Sequence, residues 1–306
     1  MREYQVFCVS LGCDKNLVDT EKMLGLLGRE GFRFTDDESQ ADVILVNTCC
    51  FIGDAKEESV NTILEMARYK EEGSVRVLIV TGCLAQRYQR EILTEIPEVD
   101  AVLGTTSWEE IVPVLRNLLA DGEHHPVACF HPLDEPAPRN RPRTLTTGGH
   151  YAYLKIAEGC DKRCTYCIIP SLRGPYRSVP MEDLLREAKE LADQGVKELI
   201  LVAQETTLYG LDLYGKKSLP ELLRGLAQIP GIWWIRIQYC YPEEITEELI
   251  DVICEEEKIC HYLDIPIQHA SDRILKRMGR RTNQAELRAL IARLRERIPD
   301  IALRTT

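Results

Sequence analysis

Basic residues are in deficit in this chain, and so are long apolar runs. Thirty-eight Lys and Arg stand against 49 Asp and Glu, a formal net charge of −11. That weighs against a nucleic-acid duplex as the main partner, because phosphate contacts need cationic surface, although a local basic patch escapes such a count. No apolar run approaches the roughly 20 residues of a membrane span, so no membrane partner is expected. The opening Met1-Arg2-Glu3-Tyr4 leads straight into a strand-like run and has no export-signal pattern. Twelve cysteines in 306 residues are too few for a disulfide scaffold. Without an export signal they are expected reduced, in the cytoplasm, where metal binding or catalysis is the better reading. The length suits two domains, and 44% hydrophobic with 28% charged residues is ordinary for a soluble globular protein.

Against that background one stretch is dense in thiols: Cys160-Asp161-Lys162-Arg163-Cys164-Thr165-Tyr166-Cys167. Thiolates are soft ligands that select iron–sulfur clusters, zinc or copper(I). Most cluster and structural zinc sites use four ligands. Here three cysteines are local and no histidine follows at zinc-finger spacing, so the alternatives are structural cysteines, an incomplete zinc site, or a four-iron cluster with one iron left open. The loop follows a strand-like run, Tyr151 to Ala157, where a barrel would carry its active site. The spacing, with Tyr166 just before the third cysteine, resembles the signature of the radical S-adenosylmethionine enzymes. That resemblance implies that the open iron chelates S-adenosylmethionine, whose reductive cleavage yields a carbon radical, with no side chain acting as acid or base.

The first 120 residues alternate strand and helix. Strands are predicted at Tyr4 to Leu11, Ala41 to Asn47, Val75 to Val80 and Val99 to Leu103. Helices are predicted at Asn16 to Arg29 with Leu17, Leu24 and Leu27 on one face, Asp54 to Glu72 with Val60, Ile63, Leu64 and Ala67 apolar, Gln86 to Ile96, and Ser107 to Ala120. Continuous apolar strands between helices imply an open parallel sheet covered on both faces. Cys13, Cys49 and Cys83 each fall just after a strand, at the edge where such sheets bind ligands. They form either a second three-thiolate site or three separately buried cysteines. Cys8 is mid-strand and reads as packing; Cys50, beside Cys49, is not excluded by spacing.

The stretches Ser10-Leu11-Gly12-Cys13-Asp14-Lys15-Asn16, Asn47-Thr48-Cys49 and Thr81-Gly82-Cys83-Leu84-Ala85-Gln86 resemble the N-terminal domain of the methylthiotransferases. The resemblance implies that Cys13, Cys49 and Cys83 hold an auxiliary four-iron cluster, and leaves Cys8 and Cys50 out. Gln268-His269-Ala270-Ser271 stands where transfer-RNA-modifying members usually show Gln-Ser-Gly-Ser. With Leu17-Val18-Asp19, Val202 to Gly210 and Leu303 to Thr306, it looks like the ribosomal-protein branch. That branch adds a methylthio group to the β-carbon of an aspartate of small-subunit ribosomal protein twelve. The resemblance implies two four-iron clusters, S-adenosylmethionine used both to methylate a held sulfur and to make the radical, and a donor such as a flavodoxin or ferredoxin. Transfer-RNA adenosine methylthiolation is the alternative substrate reading. A non-enzymatic iron–sulfur electron carrier and a zinc scaffold are rivals of another class.

Residues 121–149 read as a linker, rich in proline and charge from Asp134 to Pro142, with His124, His125 and His131 as loop histidines and Cys129 as packing. A second strand–helix series fills residues 150–306. Strands are predicted at Tyr151 to Ala157, Glu198 to Ala203, Ile232 to Gln238, Tyr262 to Ile267 and from Ile301. Helices are predicted at Glu182 to Gln194, Leu219 to Gln228, Glu243 to Glu257, Ser271 to Met278 and Asn283 to Arg297. The expected fold is therefore α/β, an open parallel-sheet domain over 1–120 followed by a partial (β/α)6 barrel incomplete at its fifth strand, with the family's C-terminal substrate-binding β-barrel absent. Cofactor contacts are expected from Tyr166, Gln204, Glu205, Gln268 with His269, and Arg304. Arg173 and Arg177 are expected to screen anions or cap a helix. Cys240, Cys254 and Cys260 are read as core.

Overall fold

A run such as Val43-Ile44-Leu45-Val46 points apolar side chains to both sides of a strand and needs cover on both faces. The computed structural model provides it. It describes residues 3–73, 75–120, 125–136, 139 and 141–306; Met1, Arg2, His124 and residues 137, 138 and 140 of the expected linker lie outside the described residues. The chain divides into two units. One comprises Met1–Glu135, Arg141–Thr144 and Ser171–Arg173; the other Pro136–Asn140, Leu145–Pro170 and Gly174–Thr306.

The first unit is built on β1 (Gln5–Ser10), β2 (Arg33–Phe34), β3 (Val43–Thr48), β4 (Val77–Gly82), β5 (Ala101–Leu103) and β6 (Val127–Cys129). All are parallel, in the order β2-β1-β3-β4-β5-β6. Its helices are α1 (Asp14–Arg29), α2 (Gly53–Glu72), α3 (Cys83–Tyr88), α4 (Arg90–Glu95) and α5 (Ile111–Leu119). Val43, Leu45, Val77 and Ile79 pack on Met23 and Leu27 of α1 and on Ile111 and Leu115 of α5. The alternate strand residues Ile44, Val46, Leu78 and Val80 are equally buried, as are Ile63, Met66 and Ala67 of α2, which lies against β3 and β4. The chain runs from β1 outward to β2 on one side, then returns to β3 on the other. A crevice therefore opens at the carboxyl ends of β1 and β3.

The second unit has β7 (Tyr151–Lys155), a small antiparallel pair β8 (Ala157–Glu158) and β9 (Arg177–Ser178), then β10 (Glu198–Val202), β11 (Trp234–Ile237), β12 (Ile259–Asp264) and β13 (Ala302–Arg304). Its parallel sheet runs β13-β12-β11-β10-β7, each strand beside its predecessor, which is the winding of a (β/α) barrel. Its α-helices are α6 (Ile169–Arg173, whose last three residues belong to the first unit), α7 (Met181–Asp193), α8 (Leu211–Tyr214), α9 (Leu219–Ala227), α10 (Glu247–Glu255), α11 (Asp272–Arg277) and α12 (Gln284–Arg297). Leu199, Leu201, Ile235, Ile237 and Leu263 form its core with Leu184, Leu222, Leu226, Ile250 and Leu294.

Several elements differ from expectation. Val127–Cys129, inside the stretch read as a linker, is the edge strand of the first sheet. The helix predicted from Gln86 starts at Cys83 and breaks at Gln89, whose φ of 45° cannot continue it. The strand predicted to Ala157 ends at Lys155, because Ala157 and Glu158 turn away to pair with Arg177 and Ser178. The helix predicted from Glu243 begins at Glu247, where the Thr246 side chain accepts from Leu249 N–H; Pro242–Glu244 is a 3-10 turn. Leu64 is exposed rather than on the buried face of α2, and Cys254, expected in the core, is also exposed.

Removing side-chain volume at the centre of the first sheet leaves a cavity no helix can collapse into. Ile79→Ala is expected to cost roughly 2–5 kcal/mol in urea denaturation. Leu64→Ala, on the water side of α2, is expected to change stability by less than about 1 kcal/mol.

Candidate metal centres

In the first unit the three strand ends converge through two glycines. Gly12 (φ +90°) sits so close to Cys49 that a Cβ there would be 2.7 Å from the Cys49 Cβ and 3.0 Å from its Sγ. Gly82 (φ +91°) leaves no room either: a Cβ would lie 2.3 Å from Asn47 Oδ1 and 2.5 Å from Thr48 O. Both angles favour glycine. The close approach lets Cys13 at the start of α1, Cys49 after β3 and Cys83 at the start of α3 share one edge. The Cys49 and Cys83 thiols feel their neighbours. Burial pushes the Cys83 thiol up, Arg173 beside it opposes that, and Cys13 and Cys49 add to it. Burial also raises Cys49, with Cys13 adding and Arg173 opposing.

Asn16 ties these ends together. Fully buried, it donates from Nδ2 to Leu11 O (3.1 Å) and Thr48 O (2.9 Å), the carbonyls leading out of β1 and β3. Its Oδ1 accepts from the Arg173 guanidinium, and the Cys83 thiol points at the same oxygen from 3.9 Å. Asn47 Nδ2 reaches back to Asn16 O and to Thr20 Oγ1, both at 2.9 Å. Arg173 also donates to Asp19 Oδ2 at 2.8 Å, and Arg143 pairs with Glu21 at 2.6 Å. The polar residues of α1 that a hydropathy reading assigns to water are thus buried and paired. Cys50 is buried, donates to Cys83 O at 3.2 Å, and burial pushes its thiol up to about 11. Cys8, inside β1, is pushed up to about 12 by burial.

In the second unit Cys160 and Cys164 are buried and Cys167 is half-buried. Cys167 N–H donates to Cys164 O, and Thr165 N–H to Met278 O at 3.0 Å, which fastens the loop to the turn after α11. Gly279 (φ +73°) allows that approach: a Cβ there would lie 3.0 Å from Arg163 O. Burial pushes the Cys160 thiol up to about 11, with Glu205, Cys167 and Cys164 adding to it. Tyr241 lies beside the loop, its hydroxyl 3.9 Å from Cys164 Sγ, with Lys162 Nζ 5.0 Å and Arg280 4.2 Å from its ring centre. Lys162 is itself paired with Glu243 and Glu244.

The remaining expected contacts are placed as follows. Gln204 donates to Glu158 Oε1 at 2.8 Å, and Lys155 holds the other oxygen of Glu158 at 2.7 Å. Glu205 is fully buried and accepts from Thr207; burial pushes its carboxyl up to about 8. Glu205 Oε2 and Gln204 Oε1 are buried with no hydrogen-bond partner among the described residues. Gln268 has φ 66° and donates from its backbone to Thr306 O, while the exposed His269 accepts from Ser271 N–H. Tyr166 is about half exposed. Arg304 donates to the buried Asp264 at 3.1 Å. Arg177 is buried and donates to Pro175 O, and Arg173 is a buried ion-pair partner in the first unit rather than a helix cap. Glu158, Tyr241 and Arg280 went unremarked in the sequence; Asn16 and Asp19 appeared there only within the stretches Ser10 to Asn16 and Leu17-Val18-Asp19, with no role given to them.

Both donor sets suit an iron–sulfur cluster better than one ion. Among the described residues no group of three or more His, Cys, Asp and Glu side chains is placed to hold a single metal ion. A cluster takes one thiolate per iron, so its ligands need not converge on a point. Three soft thiols with no carboxylate among them suit iron and sulfide rather than a hard cation.

Two outcomes are expected. Asn16→Ala leaves the Leu11 and Thr48 carbonyls without their donor, and is expected to lower stability by roughly 2–4 kcal/mol in urea denaturation. Glu205, at about 8 in the folded chain against 4.5 ordinarily, keeps a proton that the unfolded chain loses in that window. Its contribution is present below about 4.5 and lost as pH rises toward 8. Glu205→Gln cannot ionise, so its urea midpoint relative to wild type is expected to climb over that window; a constant difference would contradict the burial argument.

The comparisons with known proteins agree with this geometry. Residues 5–104 match the model described as uncharacterized protein family UPF0004, and residues 154–306 match the radical SAM superfamily. The chain is 68% identical to the ribosomal protein uS12 methylthiotransferase RimO of Lachnoclostridium phytofermentans, over 99% of this chain and 68% of that protein. It is 56% identical to the RimO of Acetivibrio thermocellus, over 99% of this chain and 67% of that protein. The chain thus spans about two thirds of the length of these curated relatives. Among solved structures it is similar in fold to the radical S-adenosylmethionine methyltransferase TsrM of Kitasatospora setae (TM-score 0.65, 15% identity, 99% of this chain and 69% of that one). It is likewise similar to the cobalamin-dependent S-adenosylmethionine radical enzyme OxsB (TM-score 0.65, 15% identity, 99% and 49%). On the matched family models and these relatives, the chain belongs to the uS12 methylthiotransferase family of the radical SAM superfamily.

Proposed function

We propose that this chain transfers a methylthio group to the β-carbon of an aspartate in ribosomal protein uS12, in the cytoplasm. The observation that carries this reading is the 68% identity, along nearly the whole chain, to a uS12 methylthiotransferase. In this reading Cys13, Cys49 and Cys83 hold one four-iron cluster, and Cys160, Cys164 and Cys167 hold another. A flavodoxin or ferredoxin is the expected class of electron donor. Bound there with S-adenosylmethionine, the clusters supply the one-electron chemistry that an unactivated C–H bond requires.

The chain's own side chains do the holding. Asn16 and the two glycines fix the three strand ends of the first site. Thr165 and Gly279 fasten the second loop. Among the described residues Gln204 Oε1 and Glu205 Oε2 are acceptors without a donor, buried just past β10. A buried acceptor left unmade costs about 1–3 kcal/mol, so both are poised to take donors from a ligand; the amino group and ribose hydroxyls of S-adenosylmethionine are such donors. An ionised Glu205 would pair with a cationic amino group, which offsets the burial that raises its carboxyl. Tyr166, half exposed on the loop, and Gln268 are the further contacts in this reading. Arg304 is engaged with Asp264 and is the weakest of the set.

Iron and labile sulfide counted after anaerobic reconstitution test the two-cluster reading. About eight irons are expected in the wild type and about four in each of Cys13/Cys49/Cys83→Ala and Cys160/Cys164/Cys167→Ala. An unchanged count in the first triple variant would remove the auxiliary site. Mass spectrometry of 30S subunits and of transfer RNA, each incubated with chain, S-adenosylmethionine and reductant, then tests the substrate. A methylthio gain on a uS12 aspartate is expected, and a gain on transfer-RNA adenosine instead would overturn the proposal.

A further inference from the structure

The cluster reading leaves the buried Arg173–Asp19 ion pair beside the thiols unexplained. Arg173 is 3% exposed and Asp19 likewise 3%. Burying both charges is a cost that packed apolar residues would avoid, and the fold retains it beside three thiols. One arm of the guanidinium meets Asp19 Oδ2 at 2.8 Å; another meets Asn16 Oδ1, the same oxygen the Cys83 thiol points at from 3.9 Å. The fork therefore has its carboxylate on one side and the thiol edge on the other. The neighbouring cation on this helix, Lys15, is taken up by Asp14 at 2.9 Å, and Arg87 acts on Cys50. Arg173 is the cation that bears on both Cys49 and Cys83.

We propose that the Arg173–Asp19 pair sets the reduction potential of the iron–sulfur group held by Cys13, Cys49 and Cys83, the guanidinium raising it and the carboxylate moderating it. The inference rests on that cluster reading. Three thiolates concentrate negative charge in a buried place, and an added electron increases it. A fixed cation at hydrogen-bond range stabilises the reduced form more than the oxidised one, and net charge with hydrogen bonding near the sulfurs is what tunes such potentials. The arginine stays charged at any working pH, so its effect does not fade with pH. Arg173 and Asp19 are thus positioning residues: they act through the charge at the ligands and touch no reacting atom.

The test uses the full chain with Cys160, Cys164 and Cys167 replaced by Ala, so that one cluster reports. Each protein is reconstituted anaerobically, its iron counted, and its midpoint potential measured by redox titration followed by electron paramagnetic resonance. Relative to the parent, Arg173→Met is expected to lower the midpoint, Asp19→Asn to raise it, and Arg173→Lys to stay closer to the parent than Arg173→Met does. A purely structural role predicts lost iron without opposite shifts. If Arg173→Met fails to retain iron, Asp19→Asn and Arg173→Lys carry the decision. Shifts of one sign, or none, in proteins with the parent iron content overturn the inference while leaving the cluster reading intact. A parent that binds no iron overturns both.

Discussion

Parallel strands end together, and the carbonyls at that common edge have no further strand to bond. Backbone acceptors buried there need donors from elsewhere. In the first unit that demand falls on Asn16, whose single amide serves the exits of β1 and β3 and whose oxygen faces the exit of β4. Much of the unit's polar interior follows. If Asn16 must be buried, so must the first turns of the helix that carries it, together with Asp19, Thr20 and Glu21. Those charges in turn require Arg173 and Arg143. The thiols occupy the places that this chain of obligations leaves open.

This explains what could be read from the sequence and what could not. The parallel sheet of the first unit was legible because Val43 to Val46 and Val77 to Val80 are apolar on both faces, a property of consecutive residues. The placement of Cys13, Cys49 and Cys83 after strands was legible for the same reason. The partners were not. Arg173 and Asp19 are 154 positions apart, and Gln204 and Glu158 are 46 apart, and no local pattern encodes a pairing across such separations. The helix α1 misleads a hydropathy reading in particular, since Lys15, Asp19, Glu21 and Lys22 look like a solvent face and are buried. The break at Gln89 rests on a single left-handed residue that is neither glycine nor asparagine, which composition does not announce.

The two thiol sites answer the same electrostatic problem with different means. Around Cys49 and Cys83 a cation already offsets part of the charge that ionised thiols would bring, and its own counter-ion is supplied within the helix. In the second unit Lys162 is paired with Glu243 and Glu244, and Arg280 is the cation that bears on Cys164.

The second unit differs in carrying buried acceptors that are unmet among the described residues. Glu205 is held away from ionisation by burial alone, against the pull of Thr207 and Lys162. A carboxyl kept in that condition gains from a cationic partner, whose attraction offsets the cost of burying the ionised form. Gln204 adds a neutral acceptor one residue earlier, oriented by Glu158, which is in turn fixed by Lys155. Such a chain, from lysine to glutamate to glutamine, spends its donors on orientation and leaves acceptors facing inward. Thiols on one loop and buried acceptors at the next strand end favour a ligand that brings positive charge and hydrogen-bond donors. S-adenosylmethionine, a sulfonium with an amino group and two ribose hydroxyls, meets both conditions.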